Sequence, residues 1–429
     1  MRFRNTSLGP SALAPGNPAR SPQVPRHAPP TALTQPAAAV TPRSAAIPAA
    51  IRLNVVWWVT AALVLSHFGR IFERVLVGDH VPAILSSIGL VAVAASGAIK
   101  RINTRVGLAF CALCAWIMLG TPMSTWKGGS TRYLLTYLAL WAGLLLLVAH
   151  AQRTAKDAAR MSYVTLFSCA FFILAGGRIR FDRFESTGTW GNSNDIALMA
   201  GYCIPFLVLM ASRIRNPVTH YLLLFGGCGL LLVAIGRTAS RTSVLALAAM
   251  VAVYLVLNRG FQRIALLAGS AIAAIALFLY LPETTIIRLS TIMDPIVSTD
   301  LKNATEAGDS AAERRELLND AIRISLEHPI FGIGMGEFLD YRSQHLKNPD
   351  GSNKRYFPSH NTYAQFAAET GIPGMLLYLF FLFSIHRTVG RTRQMALRSD
   401  HPEKKLVLQL TTAVEASLVY FAVFAFFMN

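Results

Sequence analysis

The residues best placed to do chemistry lie between His360 and Gly374, in HNTYAQFAAETGIPG. A histidine and an asparagine close a long polar segment. Gly371 and Gly374 follow, and the chain then enters the apolar run MLLYLFFLFSI. The spacing puts one titratable imidazole at the edge of hydrocarbon, above a helix whose glycines allow close packing. An imidazole with an ordinary pKa of about 6.5 is available as a general base at neutral pH without special tuning. A lone loop histidine is more often a surface residue than a catalyst, so the rest of the chain must carry the argument.

Arginines supply the second set of candidates. Arg178, Arg180 and Arg183 fall in GGRIRFDRFESTGTWGNSNDIA. Arg237 and Arg241, one helical turn apart, fall in GRTASRTSVLAL at the mouth of an apolar run, and Arg288 falls in IIRLSTI. Any one of them is equally well explained as a snorkelling anchor or as a partner for Asp182, Glu185 or Glu283. Several on one face beside hydrocarbon call for an anion. The planar guanidinium matches phosphate oxygens and stays charged at any relevant pH, so a lipid phosphate or pyrophosphate would satisfy them. There is no Asp-x-Asp, and Asp79 with His80 or Asp182 with Glu185 is too thin a basis for a metal site. No metal and no cofactor are expected. The arginines rather than Mg²⁺ would take up charge developing on a pyrophosphate leaving group. The five cysteines, Cys111, Cys114, Cys169, Cys203 and Cys228, all lie in apolar runs. Without a second pair, the CxxC of Cys111 and Cys114 reads as membrane-buried thiols rather than a redox or zinc site.

The elements that must position these groups are membrane helices. The chain is 53% hydrophobic and 14% charged, with a mean hydropathy of +0.43, whereas a soluble protein carries about a quarter charged residues. Apolar runs long enough to cross about 30 Å of hydrocarbon predict eleven spans, near 53–69, 81–99, 106–120, 131–150, 161–176, 194–212, 218–235, 242–257, 262–281, 361–385 and 405–427. With the N-terminus inside, nearly all of the +18 net charge falls on cytoplasmic segments. These include Lys100, Arg101 and Arg105; Arg153, Lys156 and Arg160; Arg213 and Arg215; Arg259 and Arg263; and the run from Arg387 to Lys405. The positive-inside rule then orients the chain, and the basic pI of about 10.2 needs no nucleic acid to explain it. Residues 1–50 are rich in proline and alanine and read as a disordered cytoplasmic tail. Residues 51–281 hold nine spans and 361–429 the last two. Residues 282–360 form a loop far longer than ordinary connections. Within it, SAAERRELLNDAIRISLE (310–327) places Leu317, Ala321, Ile324 and Leu318, Ile322, Ser325 at helical spacing, predicting an amphipathic helix that lies on the membrane surface or caps a cavity. Gly332, Gly334 and Gly336 in HPIFGIGMGEF predict a tight, irregular turn.

These residues resemble a family. His-Asn, nine residues, Gly, two residues, Gly at His360, Asn361, Gly371 and Gly374 is similar to the signature of bacterial O-antigen ligases. So is Arg-x-x-x-Leu at Arg241 and Leu245. RRELLNDAIRISLEHPIFGIGMGEF, from Arg314 to Phe338, looks like the segment preceding that histidine across the O-antigen ligase and polymerase superfamily. The resemblance covers roughly residues 175–385. It implies an all-α, polytopic glycosyltransferase of the GT-C kind with about twelve membrane helices and a large periplasmic loop containing short helices. Such an enzyme moves a glycan from undecaprenyl pyrophosphate to lipid A-core without metal and with inversion. By motif position His360 and Arg241 are the catalytic candidates, and Arg288 matches a further functional arginine. Arg178, Arg180, Arg183 and Arg237 extend the substrate-binding set on charge placement alone. Asn361 is suited either to orienting the acceptor or to capping the helix that follows. The implied partners are the lipid-linked donor, the lipid A-core acceptor and membrane lipids of the bacterial inner membrane, with the site facing the periplasm. An O-antigen polymerase and a protein O-oligosaccharyltransferase share the motifs. A transporter of lipid-linked sugars would carry charge near the midplane, where these spans have little besides Glu415.

Overall fold

A computed structural model of the chain describes residues 49–69, 84, 87–89, 91, 102–180, 183–186, 193–258, 260–280 and 307–427. Its helices are α1 (Ala49–Gly69), α2 (Arg105–Gly120), α3 (Lys127–Ala151), α4 (Ala155–Gly176), α5 (Ser193–Ala211), α6 (Pro217–Arg237), α7 (Arg241–Leu257), α8 (Phe261–Tyr280), α9 (Ala307–Glu327), α10 (Phe338–His345), α11 (Thr362–Arg398) and α12 (Lys404–Ala425). Short polar side chains set several starts. Thr104 accepts from Gly107 N, Thr154 and Asp157 form a reciprocal capping box, and Asn216 caps the turn opened by Pro217, each satisfying N–H groups that a helix start leaves without partners. A hairpin of β1 (Gly177–Arg180) and β2 (Arg183–Ser186) pairs antiparallel between α4 and α5, with Arg180 opposite Arg183.

Among the described residues, seven helices are long and apolar enough to cross a membrane: α2 with its extension to Met123, α3, α4, α5, α6, α11 and α12. Three shorter apolar helices, Val56–Gly69, α7 and Leu266–Tyr280, accompany them. Ten of the eleven expected spans fall on these helices; the one near 81–99 lies mostly outside the described residues, as does the tail before residue 49. The molecule is an all-α, multi-pass membrane protein.

α5 is the central post. Its Ile196, Ala197, Ala200, Cys203 and Leu207 are buried against Cys169 and Phe172 of α4, Ala246 and Met250 of α7, and Ala416, Tyr420 and Phe424 of α12. Tyr420 crosses directly over α5 and donates from its hydroxyl to the Ala197 carbonyl at 2.8 Å.

Long-range hydrogen bonds fix which ends lie together. Arg393, near the end of α11, donates to the Leu257 carbonyl at the end of α7 (2.9 Å) and to Thr412 near the start of α12 (2.8 Å). Both helices pack on α12, which places their starts, at Arg241 and His360, toward its other end. Tyr363 donates to the Ala422 carbonyl (2.8 Å), bringing the end of α12 to the start of α11. Tyr420 brings the same end of α12 to the start of α5 and its hairpin. Arg237 lies over the Tyr280 ring at 5.6 Å, joining the ends of α6 and α8.

The long segment before His360 is built onto that end. In α9, Leu317, Ala321 and Ile324 are fully buried, and Ala321 and Ile324 pack with Ile333, Phe338, Leu346 and Ala368. Of the second expected row, Ser325 is buried while Ile322 is exposed, so α9 turns one face onto the head of α11. Arg342 of α10, almost wholly buried, donates to Asp320 (2.8 Å), Glu316 (3.2 Å) and the Arg355 carbonyl (2.6 Å). Lys354 reaches the same two carboxylates, at 2.8 and 2.9 Å. Paired and fully hydrogen-bonded, these charges tie α9, α10 and the approach to His360 into one unit.

The glycines serve backbone contact more than the helix packing their spacing suggests. α11 breaks at Gly371, where φ is +74°. There Ile372 N donates to the Pro329 carbonyl (2.9 Å), while Ile333 N and Gly334 N donate to the Ala368 and Glu369 carbonyls (both 3.0 Å). A Cβ on Gly371 would sit 2.0 Å from the Ile330 carbonyl oxygen, and one on Gly332 2.4 Å from the Glu369 carbonyl carbon. Gly374 instead makes room for the Thr370 side chain and, beyond it, for Trp116 of α2, whose indole donates to the Thr370 carbonyl (2.9 Å).

Gly371→Ala combines a left-handed backbone penalty of about 1–2 kcal/mol with a clash against main chain that has no side chain to move. We expect a fall in Tm of at least about 2 °C in purified protein, or loss of the folded species. Gly390→Ala, with open space around it in the same helix, should leave Tm unchanged or slightly raised.

Candidate active site at the head of α11

Asn361 begins the site because it begins the helix. Its φ of −147° is extended, and its side-chain oxygen accepts from Ala364 N at 3.0 Å. The residue is buried, and of the two roles open to it the geometry supplies the cap. Ser359 closes the turn from the other side: its hydroxyl donates to the Asn361 carbonyl (2.8 Å) and accepts from Asn361 N (3.2 Å). Its own N–H donates to Gln365 Oε1 (3.2 Å).

Between these two anchored residues His360 adopts φ = +53°. A left-handed histidine is uncommon, and such backbone persists only where its surroundings hold it. The imidazole is partly buried, and its Nδ1 is shielded from solvent with no hydrogen-bond partner among the described residues. Burial pushes its pKa down from 6.5 to about 4, assisted by the positive charge of Arg314 on α9. This corrects the expectation of an ordinary imidazole. Desolvation and a neighbouring cation both penalise the protonated ring, so the base is weaker than a free histidine but wholly unprotonated at neutral pH.

Arg314 is the residue that sequence reasoning passed over. It stands in RRELLNDAIRISLE, where its value as part of an amphipathic helix masked its position. The available signal was the helical face: Arg314 lies one turn before Leu317, on the side that α9 turns toward α11.

The other candidates divide. Arg241 opens α7 at the same end of the bundle as His360, preceded by Ala239 at φ = +52° and by Ser240, whose hydroxyl is buried without a partner among the described residues. Arg237, partly buried, closes α6 beside it. The backbones of Arg178, Arg180 and Arg183 lie in the hairpin that precedes α5, also at this end; their side chains, and all of Arg288, lie outside the described residues. Glu369 is buried and accepts from Gly336 N (3.0 Å), Phe338 N (3.3 Å) and Gln365 Nε2 (2.9 Å). Nearby, burial and the charge of Asp340 raise Glu337 to about 7, against a hydrogen bond from Ser130 that lowers it. The five cysteines are free thiols, and no three His, Cys, Asp or Glu side chains converge as metal ligands among the described residues.

Residues 226–379 match the family described as O-antigen ligase. The match runs from the second half of α6 through α7, α8 and the long segment to the middle of α11, so it takes in Arg237, Arg241, Arg314 and His360 and leaves out the hairpin arginines. Over this part of the chain the likeness is to the O-antigen ligase-like superfamily. No curated protein matches the chain.

Because the folded pKa of His360 lies below the unfolded value, the folded state holds the neutral ring. Its contribution to stability is complete above about pH 6.5 and is lost as pH falls toward about 4. Arg314→Gln removes the neighbouring cation, so the His360 titration, followed by NMR of labelled imidazole, should move upward. An unchanged titration would show that Arg314 does not act on the ring.

Proposed function

We propose that the protein is an O-antigen ligase: a GT-C-type glycosyltransferase of the bacterial inner membrane. It moves a glycan from undecaprenyl pyrophosphate to a sugar hydroxyl of lipid A-core. On this reading residues 1–50 are a cytoplasmic tail, 51–281 and 361–429 hold the membrane helices, and 282–360 form the periplasmic loop. The orientation rests on the excess of basic residues in the alternate loops. The observation that carries the chemistry is the imidazole of His360 at the head of α11, with a shielded Nδ1 that has no hydrogen-bond partner among the described residues and a ring unprotonated at neutral pH.

His360 accepts the proton of the acceptor hydroxyl. The oxygen attacks the anomeric carbon of the donor glycan from the face opposite the leaving group, and undecaprenyl pyrophosphate departs with inversion. Charge on the departing pyrophosphate is met by Arg241, with Arg237 and Arg314 in support and Arg288, Arg178, Arg180 and Arg183 as further donors. The unspent Ser240 hydroxyl and the first N–H groups of α7 favour an anion at the same place. No metal is needed where guanidinium groups stabilise the leaving group.

The deciding experiment incubates purified protein in lipid with the polyprenyl-pyrophosphate glycan and one acceptor at a time: lipid A-core, a second lipid-linked glycan, or an acceptor polypeptide. Transfer to lipid A-core alone, undiminished in EDTA, is expected; transfer to the second or third acceptor would identify a polymerase or a protein transferase instead. His360→Ala should lower turnover by about 10²–10⁴ while the protein still folds.

Arg241→Lys retains the charge but not the fork that holds two phosphate oxygens. A charge-assisted hydrogen bond contributes about 1.5–3 kcal/mol, so transfer should drop about ten- to a hundredfold, with acceptor binding unaffected. Undiminished donor binding and turnover in both Arg241→Lys and Arg241→Ala would leave Arg241 as an interface anchor.

A further inference from the structure

We propose that Gln365 is a positioning residue for His360, acting through the Ser359 backbone. The inference rests on the reading of His360 as the base and extends it to the group that aims the ring. Gln365 lies on the first turn of α11, and its carboxamide is used at both ends. Oε1 accepts from Ser359 N at 3.2 Å, and Nε2 donates to Glu369 Oε1 at 2.9 Å.

The orientation of that amide is forced. A carboxylate accepts and a main-chain N–H donates, so only one arrangement of the amide satisfies both neighbours. Glu369 is in turn held by Gly336 N and Phe338 N. A connected path therefore runs from the glycine turn through Glu369 and Gln365 to Ser359, the residue whose peptide leads into His360.

The path ends where the backbone is most in need of support. His360 holds φ = +53° and its ring has no hydrogen-bond partner among the described residues to orient it. Its aim is therefore set by the main chain on either side. Asn361 secures one side through the helix cap, and the Ser359 hydroxyl links the two sides. Gln365 secures the other. Without it the Ser359 N–H loses its acceptor, and the turn is released toward ordinary backbone that lets the ring swing outward.

The test uses full-length protein in nanodiscs and two readouts: steady-state transfer, and the His360 titration by NMR, assigned through its absence in His360→Gln. Gln365→Met keeps the length of the side chain and removes both hydrogen bonds. It should lower kcat about ten- to a hundredfold, as expected of a misaimed reacting group, with KM for the lipid-linked donor unchanged. The freed ring, less buried, should titrate above its value of about 4 and toward 6.5, since the charge beside it is that of Arg314. Gln365→Glu keeps an oxygen facing Ser359 but sets a second carboxyl against Glu369 in place of the amide donor. It should therefore fall between wild type and the methionine variant at low pH, where one carboxyl holds a proton, and serves if the methionine variant does not fold. Unchanged kcat and an unchanged titration would overturn the proposal, as would a lower kcat that tracks a lower folded fraction while the titration stays put. If the wild-type protein transfers nothing but the titration still moves in Gln365→Met, the positioning stands and the ligase reading falls.

Discussion

The docking of the glycine turn onto the break in α11 is the constraint on which the site depends. A helix that bends at Gly371 exposes main-chain groups that water would otherwise satisfy, and buried polar groups must find partners. Residues 329–338 supply them, pairing main chain with main chain at Ala368, Glu369 and Ile372. The Glu369 carboxylate gathers the remaining N–H groups of the turn. A buried carboxylate in such a position is strongly destabilising unless its hydrogen bonds are complete, so the turn and the helix head are held in a single relative placement.

That placement explains how the proposed base can be rigid on a loop. α9 and α10 are fastened to each other by Arg342 and Lys354 through Asp320 and Glu316, and to α11 through an apolar patch centred on Ile324, Phe338 and Ala368. His360 sits at the seam between this unit and the membrane bundle. The seam shields its ring, brings Arg314 near, and so determines its protonation state. Main chain does the orienting, since the ring itself has no partner among the described residues.

The membrane bundle contributes direction. α7 and α11 both pack on α12, and Arg393 gathers their far ends, remote from His360, at the start of α12 through Leu257 and Thr412. With the end of α12 held to the start of α11 by Tyr363, that packing puts Arg241 and His360 toward the same end of the bundle. The His386–Glu415 pair between α11 and α12 (2.5 Å) lies at a similar remove. It gives the ionisable residue within the last span a partner, as buried charge requires.

Hydropathy alone determined the class of fold, because a hydrocarbon solvent allows few structures and each helix satisfies its own backbone. The apolar runs, the basic loops and the helical spacing of Leu317, Ala321 and Ile324 are local properties, readable residue by residue. The HN…G…G pattern marked this segment but suggested close helix packing for Gly371, which instead accommodates another segment's backbone. Other features depended on residues far apart in sequence. The lowered pKa of His360, the approach of Arg314 and the role of Glu369 each arise from desolvation and from charges brought together by packing. Neither quantity exists in a chain until distant segments meet, and so only the tertiary structure could decide them.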